Sequence, residues 1–242
     1  MKKTLLLGIA WLALTASIAS AGGISLAWND CLGAGGASNR TFACDTNVGS
    51  NDLYVSFDPT VELPDVNGAQ VTIYLRSASS QLPAWWQFKN AGSCRLTALS
   101  AQPIPGSCAD LWGGQATANI AAYLTVVQVP TYSPDFAFIL GLVSVPGASA
   151  VAVHPGTEYT AMVIRISNAK TVGIGACAGC EGQVCLVLKE VLLATNNSGD
   201  LNMRNPIQED CPGFPGTSVV SWQGSPTPAL NRTWGQMKSL YR

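Results

Sequence analysis

Charge is what this 242-residue sequence has least of. Charged residues make up 11% of it, where about a quarter is usual. The 13 basic and 14 acidic residues are scattered, and the formal net charge is −1. No basic run tracks phosphates, so nucleic acid and anionic membrane surfaces are excluded as partners. Histidine is scarcer still, since His154 stands alone. It lies in Ala152-Val153-His154-Pro155-Gly156, where a strand runs into a turn, and it reads as a turn residue. Any Ser-His-Asp or Cys-His machinery would have to use it. The Gly-x-Ser-x-Gly elbow is missing. A c-type haem needs histidine after Cys-x-x-Cys, and Glu181 follows Cys180 instead. No catalytic residue is therefore assigned, although a carboxylate pair assembled only in space leaves no trace in sequence.

Low charge leaves the surface to Ser, Thr, Asn, Gln and Gly. It also weakens colloidal repulsion and favours association.

The first residues point to export. Lys2 and Lys3 precede an apolar stretch, residues 5–19, that ends in Ala19-Ser20-Ala21. The stretch is short for a membrane span. A basic start, an apolar core and a small-x-small site are the pattern of a bacterial secretory leader, here cut after Ala21. No cysteine follows the cut, which argues against a lipid anchor. The expected product is residues 22–242, a single secreted domain free of the membrane. It would be extracellular, on the cell surface or in the periplasm.

All eight cysteines lie in that product: Cys31, Cys44, Cys94, Cys108, Cys177, Cys180, Cys185 and Cys211. An even number in an oxidising compartment implies disulfides. A zinc site from Cys177, Cys180, Cys185 and Cys211 is disfavoured, because exported thiolates oxidise. A thioredoxin-type pair is disfavoured because Cys177 and Cys180 follow a glycine-rich turn and precede a β-like run, not a helix. Local closure loses the least chain entropy, so Cys31 is expected to pair with Cys44 and Cys94 with Cys108. Each such short loop contributes about 3 kcal/mol. Three connectivities are open to the last four. We lean to one bond within Cys177, Cys180 and Cys185, and one to Cys211 that clips the loop of residues 196–217 onto a sheet.

Hydrophobic periodicity is mostly two. Residues 53–57, 71–76, 136–145, 158–166, 184–193 and 218–222 are β-branched and aromatic, with Gly, Pro, Asn and Asp clusters between them. The run at 136–145 is the longest apolar one and ends at Pro146. Asn67 and Gly68 suggest a tight hairpin turn. Seven or more such strands predict an all-β fold, an antiparallel β-sandwich or jelly roll stapled by disulfides. At most one short helix is expected, within residues 108–123, where Gly113 and Gly114 would break it early. Residues 231–242 read as a loosely held tail.

The candidate ligand or interface residues are aromatic: Trp85, Trp86, Trp112, Trp222 and Trp234. On a strand, neighbours face opposite sides, so one of Trp85 and Trp86 should pack and the other face solvent. Exposed tryptophans stack on sugars or anchor proteins. The commoner role for most of them is core. Two Asx-rich loops offer oxygen ligands for calcium, with Asp45, Asn47, Asp52 and Asp200 as candidates. Neither has EF-hand spacing, and metal-free Asx turns are the commoner use of such sequence. No other cofactor is implied.

Several segments together are similar to a group of secreted, cysteine-containing β-sandwich proteins of environmental bacteria. They are Trp28-Asn29-Asp30-Cys31 with Phe42-Ala43-Cys44, then Leu82-Pro83-Ala84-Trp85-Trp86 and Asn90-Ala91-Gly92-Ser93-Cys94-Arg95. Asn168-Ala169-Lys170-Thr171-Val172-Gly173 and Ser221-Trp222-Gln223-Gly224 complete the set. The resemblance spans most of the product. It implies an exported β-protein and supplies no catalytic residues.

The function expected is an extracellular structural or adhesion protein without catalysis, self-associating at the cell surface or in a filament. The alternative is a polysaccharide-binding module using exposed tryptophans, and the third a hydrolase with a carboxylate pair. A flat apolar patch or an unpaired edge strand would favour the first. A coplanar row of solvent-facing aromatics would favour the second, and facing carboxylates in a cleft the third.

Overall fold

The computed structural model describes residues 23–205 and 217–224. The leader, Cys211, Trp234 and the tail of residues 231–242 lie outside the described residues. Twelve strands are described: β1 (Gly23–Trp28), β2 (Asn39–Arg40), β3 (Ser50–Asp58), β4 (Leu63–Ser77), β5 (Leu99–Gln102), β6 (Thr117–Thr125), β7 (Phe136–Ser144), β8 (Val151–Val153), β9 (Tyr159–Ser167), β10 (Val184–Thr195), β11 (Leu201–Arg204) and β12 (Val219–Trp222). They form two sheets. The smaller runs β1-β3-β9-β5, and the larger runs β2-β12-β10-β4-β7-β6, with β11 paired to β10 and β8 to β4. Neighbours are antiparallel except β12 and β2, which are parallel.

The expected all-β sandwich is what forms, and the strand pattern shows why. In β4, Ala69, Val71, Ile73 and Leu75 enter the core, as do Ala137, Ile139 and Val143 of β7 and Leu186, Leu188, Val191 and Leu193 of β10. Leu53, Val55 and Phe57 of β3 and Met162, Ile164 and Ile166 of β9 meet them from the smaller sheet. Period-two alternation delivers one apolar face per strand, and two such faces close on each other. Gly141 marks the closeness of the sheets. A Cβ there would stand 2.6 Å from Met162 Sδ.

At most one short helix is expected within residues 108–123, and none forms. Gly113 and Gly114 take left-handed turns, at φ +54° and +73°, and the chain then extends into β6. A β-bulge between Ile120 and Ala122 shifts its phase, so Ala118, Ile120 and Tyr123 all reach the core. Asn67 and Gly68 make no hairpin turn but lie inside β4, where Gly68 pairs with both Ser144 and Ala194. A side chain at 68 would have its Cβ 3.0 Å from Val143 O, so this glycine serves close strand approach rather than reversal. The stretch 196–217, expected to be one loop, contains β11.

The disulfide pairing also differs. Cys31 bonds Cys108, Cys44 bonds Cys180 and Cys94 bonds Cys177, with Cα–Cα distances of 6.0, 5.9 and 6.0 Å. Neither expected local pair forms, and no bond forms within Cys177, Cys180 and Cys185. Cys185 is disulfide-bonded as well. Proximity in the folded chain decides the partners, and the sandwich brings together loops that are 77, 136 and 83 residues apart. Closing loops this long constrains the unfolded chain more than the local pairs would, by about 4–5 kcal/mol each in the chain-entropy account.

Candidate interaction surface

The candidate tryptophans among the described residues lie inside. Trp85 and Trp86 sit in a 3-10 turn, Ala84–Trp86, not in a strand, so adjacent residues need not face opposite ways. Both are fully buried, as is Trp222, and Trp112 is 3% exposed. Trp85 stacks on Trp222 at 5.1 Å, and Trp86 meets Trp222 edge-on at 5.4 Å. Three of their N–H groups are used internally, and Trp86 Nε1 is buried without an acceptor among the described residues. Trp85 Nε1 donates to Thr171 Oγ1, Trp222 Nε1 to Cys180 O and Trp112 Nε1 to Ala161 O, at 3.0, 2.8 and 2.8 Å. These four are core residues, unavailable to a sugar or a partner.

Beneath them lies a residue that the sequence did not single out. Arg95 is 2% exposed. It donates to Ala169 O at 3.0 Å, to Trp85 O at 2.8 Å and to Ser167 O. Burial pulls its pKa down to about 9, still above neutrality, so the guanidinium is charged. It ties the turn at residues 84–86 to the end of β9. Nothing in the sequence distinguishes it from a surface arginine.

The calcium candidates are occupied in other ways. Asn47 Oδ1 accepts from Thr171 N and Val172 N, Asp52 pairs with Arg165 at 2.6 Å, and Asp200 Oδ1 accepts from Thr195 N. Asp45 is exposed. Among the described residues no three His, Cys, Asp or Glu side chains gather as a metal site. His154 is exposed, with Nδ1 3.4 Å from Glu62 Oε1. Two open depressions share Gln81, Leu82 and Gln87, and no carboxylate lines either.

The surface that stands out is the outer face of the larger sheet. With Ala137, Ile139, Gly141 and Val143 turned inward, the pleat turns Phe136, Phe138, Leu140 and Leu142 outward. Register sets Leu124 and Tyr74 on either side of Phe138, Ala122 and Thr72 beside Leu140, and Asn119 and Gln70 beside Leu142. Leu142 is 37% exposed, and Phe138, Leu140, Leu124 and Tyr74 are half-buried. A strand apolar on both faces normally has something covering both. The rings do not make a flat platform. Tyr74 meets Phe136 edge-on at 80°, Tyr132 meets Phe136 at 86°, and Phe138 tilts at 51° to Tyr74. Arg76, paired with Asp135 at 3.3 Å, and Lys189, 5.3 Å from the Tyr74 ring centroid, border the strip.

This face runs up to an edge. β6 pairs with β7 alone among the described strands. Its sequence, TANIAAYLT, carries neither charge nor proline, the usual guards of an edge.

No family model matches the sequence, and no curated protein matches it. Among solved structures the chain is similar to the second type II cohesin module from the cellulosomal adaptor ScaA scaffoldin of Acetivibrio cellulolyticus. The identity is 10% and the TM-score 0.37, over 75% of this chain and 90% of that one. A likeness this distant assigns neither partner nor activity.

Proposed function

We propose that the chain is a secreted, non-catalytic structural or adhesion protein that associates with copies of itself. The observation that carries this reading is β7. It is apolar on both faces, its outer face is left partly open, and it lies beside an uncharged edge strand. Pairing of β6 with β6 of a second copy satisfies edge N–H and C=O groups and meets no like charges in any register. Covering Phe138, Leu140 and Leu142 adds apolar burial. The low surface charge opposes such contact weakly. Polysaccharide binding is the less favoured reading, because the five described tryptophans are buried and the outer rings meet edge to face.

Sedimentation velocity on the exported protein tests this. Association that rises with concentration, and that Leu142→Lys abolishes without lowering the melting temperature, is the expected result. A protein that stays monomeric at high concentration and is retained on a polysaccharide column overturns it.

A further inference from the structure

Asp58, the last residue of β3, is 6% exposed. Its Oδ1 accepts a hydrogen bond from Gly156 N at 2.7 Å. Its Oδ2 is buried, and no donor among the described residues reaches it. Leaving a buried carboxyl oxygen without a partner is costly. The charged groups of the adjoining turns do not relieve it. Glu62 and His154 face each other, both more than half exposed, and Glu158 accepts from Ser56 Oγ and Gly33 N. The next residue is Pro59, itself buried, and the chain reaches solvent at Thr60, Val61 and Glu62.

Proline after an aspartate changes the reactions open to the side chain. Pro59 carries no backbone N–H, so the ring closure in which the following nitrogen attacks the side-chain carboxyl cannot occur. The converse attack stays open. The carboxyl is joined to the residue's own carbonyl carbon through Cβ and Cα, so an oxygen that adds to that carbon closes a small ring, a cyclic anhydride. Covalent bonds alone hold the two groups near each other. The fold adds two conditions. Gly156 N fixes one oxygen, and the other has no hydrogen bond to give up before it reacts. The sequence holds no second Asp-Pro pair.

We propose that the Asp58–Pro59 peptide bond is a self-cleavage site. The neutral side-chain carboxyl adds through Oδ2 to the Asp58 carbonyl carbon. The bond from that carbon to Pro59 N breaks, and the carboxyl proton passes to the departing nitrogen, which becomes a secondary amine. Water then opens the anhydride. Asp58 is left with its side-chain carboxyl and a new terminal one, and nothing is oxidised or reduced. The cut falls between β3 and β4, yet it releases neither piece. Cys31 and Cys44 precede it, and their partners Cys108 and Cys180 follow it. β3 also stays paired along β9. The product is a two-chain form of the same sandwich.

The test incubates the oxidised protein in mildly acidic buffer, folded in one sample and unfolded by urea in another. Cleavage is expected to leave one band on a non-reducing gel and to give two after reduction, the larger beginning Pro59-Thr60-Val61 on terminal sequencing. It is expected to run at least about tenfold faster in the folded sample, the rate equivalent of one unpaired buried acceptor. Asp-Pro bonds break slowly in acid without any fold, so equal or faster cleavage of the unfolded chain overturns the proposal. A folded chain that stays whole overturns it too. Asp58→Ala is expected to abolish the cut, and a cut that persists in this variant points to a protease and overturns the proposal. Should Asp58→Ala fail to fold, Pro59→Ala decides. It keeps the carboxyl and is expected to stay whole, and cleavage after Asp58 in it overturns the proposal. In oxygen-18 water, opening of the anhydride spreads label over both Asp58 carboxyls. Label in the terminal carboxyl alone means direct hydrolysis and overturns the ring closure.

Discussion

The guanidinium carbon of Arg95 lies 3.5 Å from the centroid of the Trp85 ring, and the same group donates to three backbone carbonyls. One side chain thus joins a loop, a turn and a strand end beneath the tryptophan cluster. Removing it leaves three carbonyls without donors, at roughly 1–3 kcal/mol for each that water cannot reach. Arg95→Leu is expected to destabilise the fold by about 3 kcal/mol or more in urea denaturation, with loss of near-ultraviolet circular dichroism from the tryptophans. Arg95→Lys should restore little, because an ammonium lacks the planar fork. A loss under about 1 kcal/mol for the leucine variant would show the contacts to be incidental.

The disulfides give a second prediction. Peptide mapping of the oxidised protein without reduction is expected to yield Cys31 linked to Cys108, Cys44 to Cys180 and Cys94 to Cys177. Replacing Cys44 and Cys180 together by alanine should cost about 2–5 kcal/mol of stability. Recovery of Cys31 linked to Cys44 would mean that local closure, not the sandwich, directs oxidation.

Acid stability supplies the third. Burial pushes the Asp30 pKa upward, but hydrogen bonds from the Ser107 side chain, Ser107 N and Cys31 N outweigh it and hold the carboxyl below its ordinary value. A carboxylate depressed in the folded state stabilises it above the unfolded pKa, about 3.9. That contribution is lost as pH falls through the lower, folded pKa. Urea midpoints measured from pH 7 to pH 2 should therefore fall less steeply for Asp30→Asn than for the parent below about pH 4. Parallel curves would remove Asp30 from the acid response.

Much of the fold was legible in the strands. Residues 71–76, 136–145 and 184–193 announced β4, β7 and β10 through alternation and β-branching, which are local properties. The failures share one cause. Gly68 looks like turn chemistry, yet the crowding that requires glycine there comes from Val143, far along the chain. Trp85 and Trp86 look like strand neighbours, yet a single 3-10 turn buries both. The apolar outer face of β7 was visible only as a long hydrophobic run, because which residues face outward depends on what the other sheet covers.

Composition and spacing alone determined that the chain is built of strands, that its cysteines favour oxidation, and that charge and histidine are scarce. Those are sums over local preferences. Only the tertiary structure decided which cysteines meet, that Arg95 lies under the tryptophans, and which face of the larger sheet is left apolar. Each depends on distances between residues remote in sequence, and these exist only once two sheets have closed on a common core.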